Sequence, residues 1–288
     1  MLAMRTALLT ACAMLAFAGN SILCRLALAD GAIDPNSFTA VRLTSGALVL
    51  LPFLRPVGGA LPASSAWSPA GAIALIVYAC AFSWAYVTLA AGMGALLLFG
   101  SVQLTMLATG LARGERMTRL QLVGLTLALS GLVVQCAPGI TAPDPLGALM
   151  MIAAGVGWGV YSLLGRGSVA PRVSTARNFL LAAPVAVLVW FIPLGGVNIS
   201  AEGTVLAAAS GALTSGLGYV LWYAALRGHS TTSAAHVQLS VPVLAALGGV
   251  VLLNETLEAR FAIAAALVLG GIAVAIRSGR TDSSTRSS

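Results

Sequence analysis

Ten apolar runs of about 20 residues follow one another along this chain, near 6–29, 36–54, 69–90, 93–112, 118–136, 146–167, 175–194, 203–226, 231–253 and 258–276. A helix needs about 20 residues to cross a ~30 Å hydrocarbon layer, where every backbone N–H and C=O must find a partner within the protein. The runs therefore predict an all-α membrane protein of ten transmembrane helices. Composition agrees, since 59% of the 288 residues are apolar and 8% are charged, against roughly 25% charged in a soluble domain. Too little polar surface remains to cover a water-soluble globule. Turn residues and charges mark the breaks, for example at 30–35, 113–119 and 254–260,.

Several function classes fall away at once. All 15 basic residues are arginines, dispersed between the apolar runs, whereas nucleic-acid binding needs a clustered basic face. Cys12, Cys24, Cys80 and Cys136 have no metal-ligand spacing and read as small apolar residues,; no metal or cofactor is expected. The N-terminus imitates a secretory signal, with Arg5, an apolar run and an A-x-A site at Ala16 to Ala18,. Because that run continues to Ala29, long enough to span, it is expected to stay uncleaved.

Basic residues accumulate on cytoplasmic loops. With both termini inside, Arg5, Arg55, Arg113, Arg116, Arg119, Arg166, Arg172, Arg177, Arg227, Arg277, Arg280 and Arg286 fall on the inner side, and Arg25, Arg42 and Arg260 on the outer. Twelve against three predicts cytoplasmic termini. The chain also repeats itself: Ala18-Gly19 aligns with Trp158-Gly159, TAVR ending at Arg42 with STAR ending at Arg177, Glu115 with Glu255, and Gly131 with Gly271. This divides it into a first unit over 1–137, a second over 138–277, and a polar tail over 278–288 expected to be a disordered cytoplasmic segment. Five spans per unit is an odd number, so the two units must lie upside down relative to each other. Inverted repeats of this kind place a binding site near the midplane of transporters.

These residues carry a resemblance. The stretch AAHVQLSVPVLAALGGVVLLNETL, with a mid-helix proline, Pro242, ahead of Glu255, resembles the drug/metabolite transporter superfamily in its ten-helix members built from two EamA-type units. Its counterpart GALLLFGSVQLTMLATGLARGE keeps Glu115 but has Val102 in place of the proline. The likeness covers nearly the whole chain and is nearest to YddG-type exporters of aromatic amino acids. It implies a multi-pass bacterial inner-membrane exporter with helices arranged around a central cavity.

Ionisable groups at membrane depth usually mark a pathway, and no Asp or Glu lies mid-span here. His236 in the ninth run is the titratable candidate for substrate contact or proton handling; the alternative role is a helix–helix hydrogen bond. Asn20, Ser21, Gln103 and Gln238 form a polar set near mid-depth that could hold a zwitterion's charged groups, although each alone could simply tie helices together. Tyr78 with Phe82 and Trp158 with Tyr161 are helix-face pairs near the bilayer centre, candidates to flank an apolar side chain. Pro184 and Pro242 free backbone carbonyls and are hinge candidates. Tyr86, Trp222 and Tyr223 are expected in interfacial belts. Arg25 and Arg42 are expected to snorkel to the outer interface, where they could meet a substrate carboxylate on exit.

Together these features predict an exporter of small organic metabolites, foremost aromatic or bulky apolar amino acids, working by facilitative alternating access. Its partners would be that solute and the lipid bilayer; the oligomeric state is not legible. One alternative is export of other metabolites or drugs with proton coupling through His236. A more distant one, a hydrolase pairing His236 with Ser210 or Ser215, lacks a G-x-S-x-G motif and an orienting group.

Overall fold

The computed structural model describes residues 2–54, 68–112, 114, 118–137, 142–166, 168, 170–192, 196–226 and 237–285. They form ten helices: α1 (Leu2–Leu28), α2 (Pro35–Leu50), α3 (Pro69–Ala85), α4 (Ala91–Ala112), α5 (Arg119–Cys136), α6 (Pro145–Arg166), α7 (Pro171–Trp190), α8 (Ala201–Leu226), α9 (Ser240–Leu253) and α10 (Ala259–Thr285). Seven are long and apolar enough to cross a membrane unaided, while α3, α9 and the Ala259–Ala275 part of α10 are shorter. Large apolar side chains such as Leu8, Leu48, Ile73, Val133, Leu188 and Val251 stand exposed around the bundle. That outward apolar face suits lipid, which is as apolar as the core itself.

Helix starts follow local chemistry. Asp34 accepts from the N–H groups of Asn36 and Ser37 and is followed by a proline, so α2 begins there,. Ser68 before Pro69 and Ser200 cap α3 and α8, and Thr118 with Gln121 forms a reciprocal capping box for α5,. At its other end, α9 stops at Asn254, which takes the left-handed conformation (φ 53°) common at helix ends,. The last helix runs past Arg277 to Thr285, into the stretch whose composition suggested disorder. Extending an existing helix adds one hydrogen bond per residue without a new nucleation cost.

The packing maps onto itself when each helix is exchanged with the one five later. Helix α3 packs on α6 as α8 packs on α1; α4 packs on α6 as α9 packs on α1; and α2·α7, α4·α9 and α5·α10 are self-matched pairs. The α5·α10 crossing carries the exchange down to residues. A Cβ at Gly124 would lie 2.6 Å from the Ala275 nitrogen, and one at Gly131 would lie 2.9 Å from the Ala264 carbonyl oxygen. Missing side chains here permit the close approach, so these glycines serve packing.

The end of the bundle remote from the termini is tied shut between the halves. Ile33 and Ile199 form a bridge, Asp34 N–H donates to the Asn198 carbonyl (2.8 Å) and Ser200 N–H to the Ala32 carbonyl (3.0 Å). The turn at Asn254 brings Glu255 back over α9, where Gly249 leaves room for its carboxylate. Glu255 pairs with Arg25 (3.3 Å) and accepts the Ala91 N–H at the start of α4 (2.9 Å), where a negative charge also meets the positive end of the helix dipole. Arg25 in turn donates to the carbonyls of Tyr86 (3.1 Å) and Val87 (2.9 Å). The NET sequence that carried the family resemblance thus has a structural task.

Candidate functional site

Where the halves meet, α1 contributes Phe17, Asn20 and Ser21, α3 Tyr78 and Phe82, α4 Leu98 and Phe99, α6 Trp158 and α8 Tyr219 to the lining of one small cavity. It offers about 10 Å³ to a water-sized molecule, room for one water. The helices must part before an organic solute can enter.

Most of the wall is aromatic. Trp158 lies 5.1 Å from Tyr78, 4.7 Å from Tyr219 and 6.0 Å from Phe17, ring centre to ring centre. Phe82 stands 5.2 Å from Tyr78 and extends the cluster to Tyr86 at 4.7 Å. Tyr78 owes its position to Gly157: a Cβ there would come within 2.9 Å of the Tyr78 nitrogen, so α6 and α3 approach closely at this level.

A polar network adjoins the rings. Asn20 donates through Nδ2 to the Tyr78 hydroxyl (3.2 Å), and its Oδ1 accepts from Ser210 (2.7 Å), with the Thr214 hydroxyl at 3.1 Å. Ser210 and Thr214 come from Ser210–Leu217, a stretch of α8 wound as a π-helix. Such widened turns are uncommon and concentrate at functional sites. Gly211 lets α2 come so close that a side chain there would overlap the Arg42 carbonyl oxygen.

Arg42 is the residue that sequence reasoning misplaced. It does not snorkel to an interface but is 1% exposed inside the bundle. Its Nη2 donates to the Tyr78 hydroxyl (2.9 Å) and its Nε to Ser215 (3.1 Å). The guanidinium carbon sits 5.1 Å from the Tyr78 ring centre and 4.9 Å from that of Phe82, cation–π contacts worth roughly 0.5–2 kcal/mol each. Nη1 is buried without a hydrogen-bond partner, and among the described residues the one ion pair is Arg25–Glu255. Burying a guanidinium costs several kcal/mol unless an anion compensates it. The repeat with STAR was the available signal, because it placed Arg42 at a matched position in helices α2 and α7, which pack on each other.

The other candidates divide. Asn20, Ser21, Tyr78, Phe82 and Trp158 meet at the cavity. Tyr161 stacks behind Trp158 (5.4 Å, 29° between planes), one layer out, its buried hydroxyl making no hydrogen bond of good geometry. Gln103 on α4 and Gln238 ahead of α9 are half-buried and do not line the cavity. His236 lies outside the described residues. Pro184 is inside α7 on an exposed face, and Pro242 sits in the first turn of α9, just after the helical residues Val237 and Gln238 and the turn at Leu239 that interrupts the helix. A first-turn N–H has no intrahelical acceptor, so the missing one costs little there. Tyr86 and Trp222, expected at the interfaces, are buried in the core; both have neighbours in the central aromatic cluster, Phe82 and Phe17 respectively.

Comparison with known proteins places this architecture. Residues 4–135 and 145–277 each match the model of the EamA-like transporter family. The chain belongs to that family. It is a family of membrane transporters and not of enzymes, so Ser210 and Ser215, bonded to Asn20 and Arg42, need no catalytic role. Among EamA relatives, an uncharacterized protein of Pseudomonas aeruginosa is 54% identical over 94% of both chains. An uncharacterized transporter of Archaeoglobus fulgidus is 26% identical over 93% of this chain and 96% of its own. A probable terminal-alkyne amino-acid exporter of Streptantibioticus cattleyicolor is 31% identical over 70% of this chain and 69% of its own. The fold is shared with a solved crystal structure at a TM-score of 0.62 and 23% identity, covering 94% of this chain and 96% of that one.

Proposed function

We propose that this EamA transporter exports amino acids with aromatic or bulky apolar side chains, by alternating access between the two five-helix units. The observation that carries the reading is the pairing, in one small cavity between the repeats, of a ring cluster (Phe17, Tyr78, Phe82, Trp158, Tyr219) with a hydrogen-bonding set centred on Asn20. A zwitterion is too polar to cross lipid. It needs polar groups for its charged end, and rings can stack on its apolar end at about 0.5–1.5 kcal/mol per aromatic pair beyond area burial. The probable terminal-alkyne amino-acid exporter of Streptantibioticus cattleyicolor supports amino acids as the broad substrate class. With cytoplasmic termini, as the arginine distribution favours, the end closed by Arg25 and Glu255 faces outward. The spans carry no mid-depth Asp or Glu, which favours facilitated flux down the solute's own gradient.

The test is flux of phenylalanine against valine and alanine in proteoliposomes, normalised to folded protein. Trp158→Ala and Tyr78→Ala should each lower the phenylalanine-to-alanine ratio roughly two- to tenfold. An unchanged ratio would mean that these rings only pack the bundle. An imposed pH gradient should drive no uphill accumulation; accumulation lost in His236→Ala would instead favour proton-coupled export.

A further inference from the structure

We propose that Arg42 is the carboxylate receptor of this site, so that the transporter recognises solutes by a free carboxylate next to an apolar body. The inference rests on the reading of the cavity as the substrate site. It begins from an imbalance of charge. The backbone of Arg42 lies about 10 Å into α2 at 1.5 Å per residue, the residue is 1% exposed, and its Nη1 is without a partner. Its contacts are all to neutral groups: the hydroxyls of Tyr78 and Ser215 and the faces of Tyr78 and Phe82. Neutral hydrogen bonds and ring faces offset only part of the cost of desolvating a cation.

The same contacts put the cation beside the cavity. Tyr78 and Phe82, the two rings it lies over, are wall residues, and its bond to the Tyr78 hydroxyl joins it to Asn20, another wall residue. Guanidinium is planar, permanently charged and weakly hydrated, and it binds carboxylates through two parallel N–H···O bonds. A carboxylate reaching Nη1 would neutralise the buried charge as the solute's apolar part meets Phe17, Trp158 and Tyr219. The hydroxyl oxygens of Ser210 and Thr214, which sit against Asn20 Oδ1, keep lone pairs that can accept from an ammonium group,. The device makes the empty site expensive and the filled one balanced, so binding energy is available to move the helices apart.

The experiment measures ligand-induced rises in melting temperature with three probes: L-phenylalanine, L-phenylalaninamide, which lacks the carboxylate, and 3-phenylpropionate, which lacks the ammonium. In the wild type phenylalanine should bind at least ten times more tightly than its amide. Arg42→Gln should remove that preference, and Arg42→Lys should keep part of it. Each preference is a ratio within one variant and so is independent of yield. Arg42→Met, which replaces the buried cation by an apolar chain, should melt no lower than the wild type when empty; an Arg42 held only for structure would make it melt lower. A wild type that binds amide and acid equally, or a folded Arg42→Gln that keeps the preference, overturns the proposal and leaves the aromatic site standing. Arg42-dependent binding of phenylpropionate without binding of phenylalanine supports the carboxylate receptor and overturns the amino-acid reading. Binding of none of the three overturns both.

Discussion

Replacing Glu255 by glutamine should unlatch the end of the bundle remote from the termini. The Glu255 carboxylate pairs with Arg25 at 3.3 Å and caps α4 through the Ala91 N–H at 2.9 Å, with the two side chains 15% and 22% exposed. Arg25 holds the end of α3 through two carbonyls, so this one junction joins α1, α3, α4 and the α9–α10 turn. Glutamine keeps the shape and one acceptor oxygen but loses the charge. The exposed fraction screens the ion pair toward about 1 kcal/mol, and weakening a charged cap on a helix dipole costs about another 1 kcal/mol. A loss of about 2 kcal/mol raises the open population about 30-fold, at 1.4 kcal/mol per factor of ten. Cys24 provides the readout, since it precedes Arg25 and is fully buried. With Cys12, Cys80 and Cys136 replaced by alanine, maleimide should label Cys24 of the Glu255→Gln protein about 30 times faster in detergent, and Arg25→Gln should behave alike. Equal labelling rates in wild type and variant, with equal melting temperatures, would refute the assignment of this junction as a latch.

Two further outcomes are expected. Gly124→Val should destabilise the protein by about 1–3 kcal/mol, because a Cβ there meets the α10 backbone with 2.6 Å to the Ala275 nitrogen; thermal unfolding that matches the wild type would contradict the packing described for α5 and α10. A reporter fused after Ser288 should score as cytoplasmic, from the arginine distribution,, and a periplasmic score would reverse which side the Arg25–Glu255 junction faces.

Span length, loop chemistry and the repeat were all present in one dimension. Apolar runs near 20 residues admit little but membrane helices, and five per repeat makes the two units inverted. Sequence alone also brought Asn20, Ser21, Tyr78, Phe82 and Trp158 into one set, because polar and aromatic groups at bilayer depth have few stable places outside a protein interior. It did not reveal which way each helix turns. Lipid is as apolar as the core, so these helices lack the amphipathic stripe that orients a helix in a soluble protein. Counting from the span end therefore sent Arg42 to the interface and Tyr86 to an aromatic belt, while Gln103 and Gln238 looked equivalent to Asn20. Only the crossings of α2 with α8 and of α3 with α6, set by the absence of side chains at Gly211 and Gly157, decided that Arg42 lies buried against Tyr78.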